Sequence, residues 1–156
     1  MWIEHIAKYS QKAEVLAKAE TPAIEACEKA VGVALPAELR GLLLETNGVR
    51  NGFYAKDVIW SAERIMRYNV QRRAENVLNP KYMSFGSLLF IGSQAAGAEV
   101  AYAIAEVRIV RPDIYLWEPL NDMRLWIAPN LRLYLKGAFS GDFCEEARPE
   151  GSPNKG

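Results

Sequence analysis

The chain has 156 residues, of which 50% are hydrophobic and 24% charged, enough for one domain with its own core and too apolar for wholesale disorder. Nineteen basic residues balance nineteen acidic ones, so the basic excess with which nucleic-acid binders neutralise phosphate is missing. Cys27 and Cys144 lie far apart without a CxxC pair, the first eleven residues carry Glu4, His5 and Lys8 in place of an apolar signal core, and the longest apolar runs, such as Leu88–Ile91, are too short to cross a bilayer. A cytoplasmic domain without disulfides, metal or membrane contact is expected.

Trp2, Ile6, Tyr9, Ala13 and Leu16 recur at helical spacing and predict a first helix within residues 1–20. Thr21-Pro22 reads as an N-cap followed by proline at the first helical position, and Gly32 as the left-handed stop of that second helix, with Ile24, Cys27 and Val31 inward. Pro36 opens a third helix with Leu39, Leu42 and Leu43 inward, closed by Asn47-Gly48. Phe53-Tyr54 and Val58-Ile59-Trp60 read as short strands. Ser61 caps a fourth helix, for which Ala62, Ile65, Met66, Val70, Ala74 and Val77 form the expected inner face, before Asn79-Pro80 breaks it.

Four β-branched and aromatic runs follow, at Leu88–Ile91, Val100–Ile104, Ile114–Trp117 and Leu125–Ile127. The links 93–98, with Gly97, and 119–123, with Asn121-Asp122, suit hairpins. Pro129 starts a last helix with Leu131, Leu135 and Tyr134 inward, and residues 145–156 read as a flexible tail. Helices first and antiparallel strands after argue for an α+β fold, a central and mostly antiparallel sheet flanked by helices in a single domain over residues 1–144.

Few residues ask for chemistry. There is no P-loop or dinucleotide fingerprint, and one histidine excludes HExxH and multi-histidine metal sites. No cofactor is expected. His5 and Cys27 could form a base and nucleophile, but Cys27 shares the buried stripe of its helix, where cysteine is a small hydrophobe. Arg64, Arg67, Arg72 and Arg73 make the most basic segment and read first as a solvated helix face, second as a surface for an acidic protein and third as a phosphate-contacting surface. Core packing is the plain reading of Trp60 and Trp126, whereas Trp117, followed by Glu118-Pro119 at a strand end, fits partial exposure as well as core packing.

The helix Ile24–Val31 with its Glu residues, its stop at Gly32, the Leu35-Pro36 opening of the next helix and the closing Asn47-Gly48 together resemble the SUKH superfamily. The resemblance continues through Ile91-Gly92-Ser93-Gln94 to Tyr102, similar to the family's glycine-rich strand-turn-strand, and through Leu125-Trp126-Ile127-Ala128-Pro129-Asn130-Leu131 to Leu135. It spans about Ile24 to Gly137, within a matched region of 21–137 preceded by the helical extension 1–20. Ala95, Ala96 and Ala98 stand where the family tends to carry glycines or an acid. The resemblance implies an α+β domain without shared catalytic residues. It implies an immunity protein that binds and neutralises a bacterial toxin domain such as a nuclease, or else a regulatory scaffold for host proteins; a small hydrolase is the enzymatic alternative. The expected contact residues are Tyr54, Asp57, Trp117 and Glu118, joined by Arg64 and Arg67, because hot spots favour Trp, Tyr and Arg while variable strand ends and loops carry specificity.

Overall fold

The computed structural model of the protein describes residues 1–52 and 56–140. Its first departure from sequence expectation comes at once. Helix α1 covers only Trp2–Ala7, and Ala13–Val15 forms strand β1. The helical spacing that runs on to Leu16 is overridden by tertiary pairing, because β1 aligns antiparallel with strand β2 (Val49–Asn51), Glu14 opposite Arg50. Beyond β1 the chain stays extended along helix α3 (Ala37–Glu45), with Leu16 N donating to Thr46 Oγ1 at 2.8 Å and Ala19 N to Leu43 O at 2.8 Å. The Glu45 carboxylate caps α1 from a distance, accepting from Trp2 N at 2.7 Å and Ile3 N at 3.2 Å.

Helix α2 (Thr21–Val31) has Glu20, one residue earlier than expected, in the N-cap position, and stops at Gly32, whose φ of +74° is the left-handed cap that glycine adopts without strain. Leu39, Leu42 and Leu43 of α3 are fully buried, as the spacing required. Strand β3 (Lys56–Ile59) pairs antiparallel with β2, completing a three-stranded sheet in the order β1-β2-β3. Strands β4 (Leu88–Ser93), β5 (Glu99–Ala103), β6 (Ile114–Glu118) and β7 (Met123–Ala128) form a second antiparallel sheet in sequence order. Gly97, between β4 and β5, has a φ of +77°, in keeping with the expected turn. Helix α5 (Leu131–Ser140) buries Leu131, Tyr134 and Leu135. The fold is α+β, in one body. The strand expected at Phe53-Tyr54 and the tail expected over 145–156 lie outside the described residues.

The two sheets meet where β3 lies beside the end of β4. Trp60 N donates to Ile91 O at 2.8 Å, and Gly92 presses so close that a Cβ there would stand 1.9 Å from Val58 O. β3 reaches only this end of β4. Farther along, helix α4 (Ala62–Leu78) supplies the missing partners: Asn69 accepts from Phe90 N at 2.9 Å and donates to Phe90 O at 2.8 Å. Arg73 donates to Leu88 O at 3.2 Å and to Val31 O at 2.6 Å.

This is why the inner face of α4 departs from the expected apolar stripe. Ala62 and Ile65 are buried as expected and Ser61 caps the helix, accepting from Arg64 N at 3.2 Å. The stripe then turns polar, through Asn69, Arg73 and Asn76, because it faces backbone that must be satisfied. Val70 and Ala74 are exposed, and Val77 is 82% exposed.

Candidate protein-interaction surface

Strand pairing sets a row of polar residues across one end of the sheets. Glu14 lies opposite Arg50 and Arg50 opposite Asp57; in the second sheet Ser93 lies opposite Glu99, Glu99 opposite Trp117, and Trp117 opposite Arg124. Residues opposite one another share a face, so the row faces α4 and is finished by its side chains. Asp57 accepts from Arg50 Nε at 3.0 Å and from an Arg64 guanidinium nitrogen at 2.5 Å. The Arg64 guanidinium lies 4.6 Å from the ring centre of Trp60, whose Nε1 donates to Ser93 Oγ at 2.9 Å. Two half-exposed arginines are thus fixed by one carboxylate, and one of them is also seated on a buried indole. Asp57 holds the Arg50 guanidinium still more firmly charged than usual.

Deeper along the row the environment dries. Tyr68 donates to Glu99 Oε1 and accepts from Arg72 Nε at 2.9 Å, while Glu99 Oε2 is buried with no hydrogen-bond partner among the described residues. Burial pushes the Glu99 carboxyl above its ordinary value, against the opposing pull of Tyr68 and Arg72. Arg72 also stacks 5.2 Å from the Trp117 ring centre, so two of the four clustered arginines, Arg72 and Arg73, serve the interior and not a solvated face.

The expected contact residues therefore separate. Asp57 and Arg64 are brought into direct contact, and Glu118 is half-buried at the same sheet end. Arg67 is exposed elsewhere on α4, over a shallow depression of about 480 Å³ shared with Met66 and Val70. Tyr54 lies outside the described residues. Trp117 is corrected: it is 1% exposed, enclosed by Tyr82, Phe85 and Phe90, with its Nε1 donating to Asp122 Oδ1 at 2.8 Å. It offers no surface to a partner. Trp126, expected in the core, is 54% exposed on the outermost strand. The two tryptophans exchange roles because α4 and Phe85 cover the Trp117 end of that face and leave the Trp126 end bare. Arg50, which sequence reasoning passed over, could have been found from its place opposite Asp57 only once the hairpin register was known.

Residues 18–137 match the SMI1/KNR4 family (SUKH-1). The chain belongs to this family. No curated protein matches it. The SUKH-1 span begins after β1, yet α1 and β1 are bonded into it through Glu45 and the β1–β2 ladder. Gly92, within the strand-turn-strand segment that carried the resemblance, is the residue that lets the two sheets of this SUKH-1 domain approach. Cys27 is buried and its thiol is pushed up to about 11, first by burial and then by Glu28 and Glu63, which keeps it protonated and poorly nucleophilic. His5 bonds instead to Arg132 O at 3.0 Å. Among the described residues, no group of three or more His, Cys, Asp or Glu is placed to hold a metal ion, and no helix is long and apolar enough to cross a membrane.

Proposed function

We propose that this SUKH-1 domain is a cytoplasmic, non-catalytic immunity protein that binds and neutralises a protein toxin, using the Arg50–Asp57–Arg64 cluster as its principal contact. Family membership supports the class of function, since SUKH domains commonly act as immunity proteins. The single observation behind the choice of surface is the immobilised arginine pair. Arginine is favoured at hot spots, and an arginine already held by Asp57 and stacked on Trp60 loses less side-chain freedom on binding. Glu118 and Tyr54 are proposed as peripheral contacts, and Arg67 as a weaker one.

Arg50→Ala and Arg64→Ala suit the test, because solvent-screened surface ion pairs add little to stability and the variants should fold. Co-expression with candidate toxins should give protection against one toxin and not unrelated ones, and the double variant should lose it through faster dissociation. Full protection by the folded double variant would refute the surface. A stable complex with a host protein, with no toxin neutralised, would favour the regulatory scaffold instead; turnover of a small substrate by the purified chain would refute both.

A further inference from the structure

Strand β7 ends the four-stranded sheet and, among the described residues, pairs only with β6. Among the described residues, no backbone group of 123–128 bonds to a further strand, and Met123 N is taken by Asn121 Oδ1 at 3.2 Å. Open edges are normally blunted by shortness, proline or charge pointing into the would-be partner. The outer edge of the other sheet, β1, is only three residues long and carries Glu14. β7 has six residues and a single charge, Arg124. That charge is engaged on the sheet's face: the guanidinium donates to Met83 O at 2.9 Å and Ser87 Oγ at 2.9 Å and pairs with Asp122 at 3.4 Å. The remaining exposed side chains of the strand are Met123 and Leu125, each 39% exposed, and Trp126. Trp126 is also oriented, its Nε1 donating to Asp113 Oδ1 at 2.8 Å.

We propose that β7 is a self-association edge, whose occupant is the β7 of a second copy of this chain, laid antiparallel about a two-fold axis. A strand meeting itself must avoid placing like charges opposite one another. With the axis at Leu125 or at Trp126, Arg124 faces Trp126 or Ala128 of the other copy, so neither register opposes two charges. The zero formal net charge of the chain removes long-range repulsion between copies as well. The contact is one strand wide, so the dimer is a weak, concentration-dependent one. It does not use the Arg50–Asp57–Arg64 cluster, although Glu118 lies opposite Met123 in the β6–β7 pair, and it is tested without any toxin.

Three of the four tryptophans, Trp2, Trp60 and Trp117, are buried, so a change in indole exposure on association reports Trp126. Sedimentation equilibrium of the full chain from about 1 μM to about 1 mM, the range of weak association, should show a monomer–dimer equilibrium with a parallel blue shift in emission. Leu125→Lys and Met123→Lys, both at exposed sites, should each weaken association by about tenfold or more by bringing cations to the paired edge, with circular dichroism unchanged. A chain that stays monomeric over the whole range overturns the proposal. So does a dimer that forms without a change in emission, or one that survives both folded lysine variants.

Discussion

Among the described glycines, Gly92 leaves the least room for a side chain, which makes Gly92→Ala the most informative single substitution. The new Cβ would stand 1.9 Å from Val58 O and 2.9 Å from the Val58 carbonyl carbon. Ordinary contact begins near 3.4 Å, so β3 and β4 would have to separate by roughly 1.5 Å, and neither obstacle is a side chain that can swing away. Separation on that scale breaks the Trp60 N to Ile91 O bond, a loss of about 1 kcal/mol, and adds the ~1–3 kcal/mol typical of overpacking. The expected loss of stability is therefore about 2–4 kcal/mol, measured by urea unfolding with the denaturant slope unchanged. Gly86→Ala is the control: there a Cβ meets only the Ser84 hydroxyl, at 3.3 Å, and the expected change is below about 1 kcal/mol. A folded Gly92→Ala protein within about 0.5 kcal/mol of the parent would refute the close-seam account.

Asn69→Ala removes both partners of the Phe90 backbone and should cost about 2–4 kcal/mol, because two buried polar groups are left unmet; a loss below 1 kcal/mol in chemical denaturation would show that they find other partners. Trp117→Ala should lower stability by about 3–5 kcal/mol through the cavity it leaves; normal unfolding with specific loss of partner binding would instead restore Trp117 as a contact. Asp122 lies below the usual carboxylate range: burial opposes this, but bonds from Met83 N, Trp117 Nε1 and Arg124 outweigh it. A depressed folded value means this stability is present above about pH 4, where the unfolded carboxylate is ionised, and is lost as pH falls through the folded value. Thermal unfolding between pH 6 and 2, both about the ordinary assay range for carboxylates, should show Asp122→Asn losing part of the parent's acid sensitivity; identical pH profiles would refute the assignment.

Much of the fold was legible because local signals and tertiary packing agree. Gly32 and Gly97 mark left-handed turns, and Leu39, Leu42 and Leu43 lie buried at the spacing expected of them. The helix expected within residues 1–20 holds only over Trp2–Ala7, because a helical period also fits a short helix followed by a strand, and the pairing that decides between them involves residues 49–51. Arg73 is expected on a solvated face because periodicity detects apolar stripes, whereas Arg73, with Asn69, faces inward to serve the backbone of β4. At the candidate site the residue types were visible in Asp57 and Arg64, but Arg50 entered only through strand register. Burial separated Trp117 from Trp126, and burial depends on which end of a sheet a distant helix covers.

Asn69 and Arg73 do more than complete hydrogen bonds. Each engages backbone at fixed points on β4, and Arg73 also holds the last carbonyl of α2. A helix docked by apolar contact alone could roll or slip slightly; α4 has a single axial setting. Arg64, one turn into that helix, is carried on a support with little freedom to adapt. Recognition through it is then rigid-body docking, with backbone shifts between free and bound states of no more than about 1 Å. Association should proceed at ordinary rates of about 10⁵–10⁷ M⁻¹s⁻¹, and discrimination among related partners should reside in how long each complex lasts.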